Sequence, residues 1–274
     1  MNLQHRKIIS SKLNIIIQKA SEIVLKIYHS GDFNVQTKTD QSPLTVADLA
    51  ANKYLNEFLP TVYNCPIISE ENSEVPYETR KNYKYYWLVD PLDGTKDFVK
   101  RNGQFTVNVA LMEHNMPVVT AVFVPVSGEC FYAYKGGGAY RLTGTTTLEQ
   151  LRVSPEYRNP VRVICSRSHP TPETERFIKR ISDQSAIEKS SVGSSLKFLQ
   201  VASGTVDVYP RLVPCSEWDT AAAHLIVTES GGQIEVLTPT GELTGETLRY
   251  NKESLLSPFF VIWGSDAIKK DFFM

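Results

Sequence analysis

The order of apolar periodicities along this 274-residue chain predicts a layered fold in two parts, α+β first and α/β after it. Two helix-period stretches open the chain and are followed by strand-like runs. The runs up to about residue 150 are joined by short Gly- and Asn-containing turns, as in an antiparallel meander. Beyond that point strands and helices alternate, and layers of mixed type are the stable way to cover such sheets.

Leu13, Ile16, Ile17, Ala20, Ile23, Val24 and Ile27 recur at helical spacing and predict a helix over 3–29, with Gly31 as its stop. A second helix starts near Thr45, after Ser42-Pro43, with Ala47, Ala51, Tyr54, Leu55 and Phe58 on one face. Residues 66–69 read as a short strand closing on Glu70-Glu71. Strands are expected over 85–90, 105–112, 118–124 and 129–134, with turns at Asn102-Gly103, Asn115 and Ser127-Gly128. Gly136-Gly137-Gly138 lacks the helix that a phosphate-cradling loop requires and reads as a hairpin turn. The second part alternates strand 161–165, helix 172–181, strand 186–189, helix 194–202 and strand 205–209. A helix from about 218 to 229, a strand at 260–263 and a terminal helix complete it. Gly231-Gly232 is a natural C-cap for the 218–229 helix. Thr, Gly and Pro accumulate over 145–158, which divides the chain into 1–150 and 151–274.

An apolar fraction of 42% and a charged fraction of 22% are those of an ordinary globular protein. A net charge of −1 gives no electrostatic case for a nucleic-acid polymer or an anionic membrane as partner. Cys65, Cys130, Cys165 and Cys215 lie far apart without metal-ligand spacing, as expected of reduced thiols in the cytoplasm. The N-terminus lacks the apolar core of a signal peptide, and no run approaches the ~20 residues of a transmembrane helix. The expected location is cytoplasmic. Oligomeric state and peripheral association with the inner membrane face are left open.

The segment Trp87-Leu88-Val89-Asp90-Pro91-Leu92-Asp93-Gly94-Thr95 ends an apolar run with two carboxylates. A strand can deliver Asp90 to its edge, Pro91 fixes one φ, and Gly94 lets the chain turn back sharply. Both carboxylates and the Leu92 carbonyl can then face one point. Clustered hard oxygens of this kind suit Mg²⁺. Asp, Pro and Gly also build ordinary turns, so the segment alone is equally an Asp-rich turn. Glu70-Glu71 about twenty residues earlier, Asp48 early in the second helix and Asp219 at the start of the 218–229 helix are further candidates. Each has a bland counterpart: a solvated loop for the glutamates, first-turn charges favoured by the helix dipole for the aspartates. Ser194 opens the expected 194–202 helix and shares a face with Lys197, so amides, hydroxyl and ammonium together offer a phosphate cradle. A solvated lysine is the commoner alternative.

Taken together, these motifs resemble the lithium-sensitive, Mg²⁺-dependent phosphatase family that includes the inositol monophosphatases. The resemblance rests on Glu70-Glu71, Asp90-Pro91-Leu92-Asp93-Gly94-Thr95, Trp218-Asp219-Thr220-Ala221-Ala222 and Glu229-Ser230-Gly231-Gly232, in the family's order. Within it the chain is most similar to 3′(2′),5′-bisphosphate nucleotidases of the bacterial CysQ type. That likeness lies in Thr95-Lys96-Asp97-Phe98-Val99-Lys100-Arg101-Asn102-Gly103, Ser166-Arg167-Ser168-His169 and Gly193-Ser194-Ser195-Leu196-Lys197-Phe198. Inositol monophosphatases carry a glutamate for the inositol hydroxyls shortly before the Trp-Asp pair. Here Asp207-Val208-Tyr209-Pro210 leads into Arg211, and a guanidinium suits a second phosphate better than a neutral polyol.

The resemblance implies an αβαβα sandwich of the inositol monophosphatase/fructose-1,6-bisphosphatase type, with most metal ligands in 1–150. It implies hydrolysis of the 3′-phosphate of adenosine 3′,5′-bisphosphate, with the 5′-phosphosulfate as a further substrate, and two or three Mg²⁺ ions per site. Glu70, Asp90, the Leu92 carbonyl, Asp93 and Asp219 would hold the metal. Asp48 and Thr95 would act on the attacking water. Gly94, Thr95, His169, Ser194, Lys197, Arg211 and Asp219 would contact the nucleotide. An inositol- or sugar-phosphate phosphatase and a catalytically silent nucleotide sensor are the rival readings.

Overall fold

The computed structural model describes residues 1–37, 43–144, 146–166 and 171–274. Seven strands lie side by side in chain order: Ile67–Ser69, Tyr85–Asp93, Thr106–Glu113, Met116–Val124, Glu129–Tyr134, Gly138–Thr143 and Thr147–Gln150. The first pair is parallel and the rest antiparallel. A second sheet runs in the order Ile187–Val192, Val161–Ser166, Val208–Arg211, Phe260–Trp263, Gln233–Val236. Its parallel pairings give way to antiparallel ones at Phe260–Trp263.

Helices Leu3–Ser30 and Val46–Val62 cover the outer face of the seven-stranded sheet. Helices Leu196–Ala202 and Glu217–Glu229 fill the space between the two sheets. Pro172–Ser182 and Asp266–Phe273 close the far side of the five-stranded sheet. The result is five layers, α-β-α-β-α, sealed by three apolar clusters.

Strand Tyr85–Asp93 shows how the sequence produces this. Successive side chains in a strand point to opposite faces, so Trp87 and Val89 enter the outer cluster while Tyr86 and Leu88 enter the middle one. A strand buried on both sides needs a continuous apolar run, not an alternating one. The long first helix buries Leu13, Ile17, Ala20 and Val24 and stops at Gly31 with φ +77°, a left-handed cap glycine adopts without a Cβ penalty.

The sheet is wider than the sequence pattern suggests. Gly138–Thr143 and Thr147–Gln150 extend the meander, and every residue of the last strand is exposed, so no apolar alternation marks it. Gln233–Val236 was likewise unmarked. The expected strand 186–189 runs on to Val192, and that over 205–209 is displaced to Val208–Arg211. The chain passes from one sheet to the other between Gln150 and Val161, yet Ile68 and Tyr86 share the middle cluster with Ile234 and Ile262. Among the described residues, no helix is long and apolar enough to cross a membrane.

Trp87 is fully buried, and its indole N–H donates to the Tyr63 carbonyl at 3.0 Å. Trp87→Ala should cost about 3–5 kcal/mol in urea denaturation, whereas Leu148→Ala, on the exposed last strand, should stay within about 0.5 kcal/mol of the parent.

Candidate active site

Asp90 and Asp93 are three positions apart, so in a flat strand they would point to opposite faces. They do not, because the ladder slips between them: Asp90 pairs with Asn108 and Asp93 with Thr106. Three steps on one strand match two on the other, which is a β-bulge of one residue. Asn108 and Thr106 share a face, so both aspartates are turned toward the same layer. Pro91 sits inside the bulge, where the ladder donor it lacks is least needed. Leu92 anchors its side chain in the outer cluster. Gly94 then turns the chain with φ +90°, and a Cβ there would meet the Gln104 carbonyl oxygen at 2.9 Å.

Asp93 is held from three sides. Its Oδ2 accepts from the Ser194 hydroxyl at 2.7 Å, the Ser195 amide at 2.7 Å, the Ser195 hydroxyl at 2.8 Å and Asn108 Nδ2 at 3.4 Å. Asn108 Nδ2 also reaches Ser195 Oγ at 2.9 Å, while Thr106 Oγ1 donates to Asn108 Oδ1 at 2.9 Å. Thr106, Asn108 and Ser195 are buried, and sequence reasoning missed all three as parts of the site. The available signal was two polar residues at period two inside the apolar run 105–112.

Ser194 departs from expectation. It has φ +54° and stands outside the helix, which begins at Leu196. Its hydroxyl holds Asp93 rather than an open anion. The approach at Gly193 is tight: a Cβ there would lie 2.2 Å from Asp97 Oδ2. Lys197 departs too. It is buried, and its ammonium donates to the carbonyls of Ser194 at 2.6 Å and Val192 at 3.2 Å. Burial pushes its pKa down to about 8. Ser194 and Lys197 thus lie on a braced turn that lines the cavity, with the helix start displaced to Leu196 because Ser194 takes a left-handed conformation.

Asp48 and Thr95 are brought together. Thr45 N-caps the second helix, and Asp48 Oδ2 accepts from the Thr45 amide at 2.8 Å and hydroxyl at 2.5 Å, a capping box. The other oxygen, Oδ1, faces the Thr95 hydroxyl at 3.2 Å, and that hydroxyl also lies 3.1 Å from the Leu92 carbonyl. Burial raises the pKa of Asp48, and the bonds from Thr45 partly offset it. Glu70 continues the edge strand, its amide donating to Val89 O at 3.2 Å. An amide cluster ties its loop to the Asp48 helix. Ser69 Oγ donates to Asn52 Oδ1 at 2.7 Å, Asn52 Nδ2 to Asn72 Oδ1 at 3.0 Å, and Asn72 Nδ2 to Asn56 Oδ1 at 2.9 Å.

Asp219 arrives from the other half, in the first turn of Glu217–Glu229. Its Oδ2 accepts from the Ser216 amide at 2.9 Å, again as a capping box. Asp90 Oδ1 accepts from the Leu92 amide at 3.0 Å. Asp90, Asp93 and Asp219 thus share one design: one carboxylate oxygen is used for anchoring, and the other has no hydrogen-bond partner among the described residues. Burial raises the Asp90 pKa well above the usual range, and Glu70, Asp93 and Asp219 raise it further. Asp219 is pushed up to about 8, by burial first and then by Asp93 and Glu70. Among the described residues no three of these groups close into a ready-made cage. They form separate arms around a common space. Carboxylates with a free oxygen, and the Leu92 carbonyl beside them, are an all-oxygen donor set that fits Mg²⁺, which retains solvent and substrate oxygens in its shell.

A cavity of about 380 Å³ opens beside these arms, lined by Asp93, Gly94, Thr95, Asp219 and, on its cationic side, Lys96, Lys197 and Arg211. Arg211 closes strand Val208–Arg211 and donates to the carbonyls of Val213 at 3.2 Å and Pro214 at 3.1 Å, which leaves further N–H donors on the guanidinium. Lys96, exposed at the rim, was not singled out by the sequence. His169 lies outside the described residues.

A model of the inositol monophosphatase family matches residues 6–258. The 3′(2′),5′-bisphosphate nucleotidase CysQ of Salmonella typhimurium is 38% identical over 248 residues, 89% of this chain and 95% of that protein. That of Escherichia coli (strain K12) is 36% identical over the same shares. The crystal structure of CysQ from Bacteroides thetaiotaomicron, a bacterial member of the same family, superposes with a TM-score of 0.81 at 37% identity, covering 96% of this chain and 98% of that one. The extragenic suppressor protein suhB from Bartonella henselae shares the fold, with a TM-score of 0.74 at 22% identity over 96% and 95% of the two chains.

The raised carboxyl pKa values fix a sign. A folded-state carboxyl that holds its proton more tightly than the unfolded one, near pH ~4, stabilises fully below that pH. The contribution is lost as pH rises through the folded value, about 8 for Asp219. In EDTA the melting temperature should fall between roughly pH 5 and pH 8, and Asp90→Asn should flatten the fall. A thermal scan that is flat across this range would show the carboxyls to be farther apart or better solvated than described.

Proposed function

Because the chain belongs to the inositol monophosphatase family, we propose that it is a Mg²⁺-dependent 3′(2′),5′-bisphosphate nucleotidase. It removes the 3′-phosphate of adenosine 3′,5′-bisphosphate to leave AMP and phosphate. The observation that carries this reading is the 36–38% identity to enzymes of that name over about nine-tenths of the chain. The free cysteines agree with a cytoplasmic setting.

In this reading Glu70, Asp90, the Leu92 carbonyl, Asp93 and Asp219 would hold two or three Mg²⁺ ions. Bound Mg²⁺ supplies charge neutralisation at the phosphoryl oxygens and acidifies water. The chain supplies the rest. Thr95 Oγ1, donating to Asp48 Oδ1, keeps its lone pairs available to orient the attacking water, and Asp48, with its raised pKa, is the base behind it. The Asp93 carboxylate is fixed by its serine and asparagine donors, so little reorganisation accompanies reaction. Gly94 keeps the turn beside the reacting phosphate free of a side chain. Arg211 is the anchor for the phosphate that does not react, and binding energy there orients the one that does. Lys197 shapes this pocket by bracing the 192–194 turn, and His169 is retained as a nucleotide contact on resemblance alone.

Phosphate release should be faster from adenosine 3′,5′-bisphosphate than from inositol 1-phosphate, with Mg²⁺ required; the reverse preference would transfer the site to the polyol phosphatases. Asp90→Asn should abolish turnover, and Mg²⁺-dependent activity at the parent level in that variant would overturn the ligand set. Arg211→Ala should depress kcat/KM for the bisphosphate roughly tenfold to a hundredfold, the worth of a charge-assisted hydrogen bond of about 1.5–3 kcal/mol, and leave a monophosphate substrate much less affected. Equal losses on both would make Arg211 a support of the fold.

A further inference from the structure

Arg80 is fully buried, yet among the described residues its guanidinium meets no carboxylate. Its Nε donates to Val75 O at 3.2 Å, Nη1 to Asn251 Oδ1 at 2.9 Å and Lys252 O at 2.6 Å, and Nη2 to Glu253 O at 2.8 Å. The same turn serves a buried anion on its other side. Glu217, also fully buried, accepts from the Asn251 amide at 2.6 Å and the Lys252 amide at 3.2 Å and pairs with the Lys252 ammonium. The turn at Asn251 and Lys252 therefore offers its C=O and amide oxygen to the cation and its N–H groups to the anion. Polarised peptide groups in a dry interior transmit such an arrangement strongly. Asn251 takes φ +60°, a conformation asparagine tolerates better than most residues, and its Nδ2 donates back to Arg80 O at 2.7 Å.

The two ends of this relay lie on the two elements that carry carboxylates from opposite halves of the chain. Arg80 terminates the Ser69–Arg80 connection that begins with Glu70 and is tied to it through Val75. Glu217 stands two residues before Asp219, and its own amide is held by Leu255 O at 2.8 Å. Glu70, Val75, Trp218 and Leu255 are walls of one cavity of about 220 Å³ between these elements. The geometry points to Arg80 as a positioning residue: the Arg80–Asn251–Lys252–Glu217 relay sets the separation of Glu70 from Asp219. It touches neither substrate nor reacting atoms. Neutral replacement of Arg80 leaves the Val75, Lys252 and Glu253 carbonyls and Asn251 Oδ1 without their buried donor, which costs free energy at each and loosens the turn that holds Glu217.

This inference rests on the metal-site reading above, and its test separates the two. Mg²⁺ affinity is measured by titration calorimetry, alongside the Mg²⁺ dependence of kcat, for Arg80→Met, Arg80→Lys and Asn251→Gly; the last keeps the positive φ while removing the side-chain bonds. Arg162→Met, which breaks the distant buried pair with Asp207, is the control for general destabilisation. Expected are a loss of Mg²⁺ affinity of at least about tenfold in Arg80→Met and Asn251→Gly, partial recovery in Arg80→Lys, and parental affinity in Arg162→Met despite a lower melting temperature. KM for the nucleotide at saturating Mg²⁺ should move by less than about twofold. Parental Mg²⁺ affinity in both Arg80→Met and Asn251→Gly, or an equal loss in Arg162→Met, overturns the relay while leaving the nucleotidase reading intact. A parent protein that binds Mg²⁺ but releases no phosphate from the bisphosphate overturns the function, and calorimetry still decides the relay.

Discussion

Asp90, Asp93, Glu70 and Asp219 gather like charge around one partly buried space, and the rest of the molecule is arranged around that repulsion. Like charges so placed push their carriers apart. The chain meets this by drawing the four from different elements: an edge-strand end, a bulged strand and the first turn of a helix in the other half. It then pins Asp90, Asp93 and Asp219 through one oxygen each. Peptide amides, hydroxyls and the Asn108 side chain do the pinning, and among the described residues no side-chain cation is used for it. The cationic side chains, Lys96, Lys197 and Arg211, line the same cavity as Asp93 and Asp219.

The same logic explains why the site sits between layers. The middle cluster binds the two sheets through Leu196–Ala202 and Glu217–Glu229, and both helices begin at the site. Asp219 enters in the first turn of one of them, where the dipole favours an anion, and Ser195 holds Asp93 from immediately before the other. Packing of apolar residues several turns away thereby fixes the spacing of charges that would otherwise separate.

Much of this was legible in the sequence where the signal is local. The Asp90–Asp93 motif, the capping residue Thr45 and the long apolar runs gave the strand, the helix and the placement of Asp48, because each depends on residues within a few positions. What escaped was carried by contacts remote in sequence. Thr106, Asn108 and Ser195 are common residue types whose meaning comes only from meeting Asp93, and the asparagine cluster of Asn52, Asn56 and Asn72 joins a helix to a loop that no periodicity relates. The exposed strand Thr147–Gln150 left no apolar trace. Ser194 shows the opposite failure: composition suited a helix start, while its close fit under Gly94 imposed a left-handed backbone.

The bulge between Asp90 and Asp93 also makes the site a matter of counting. One surplus residue is what turns Asp93 to the side where Ser194 and Ser195 wait. Removing Leu92 would leave two steps on each strand and a regular ladder, with Asp90 and Asp93 still facing one layer but without the backbone carbonyl between them or the side chain that anchors the bulge in the outer cluster. Closing the bulge at its present length would instead carry Asp93 to the opposite face, away from Ser194 and Ser195. Over this stretch, then, the molecule tolerates changes of letter better than changes of length.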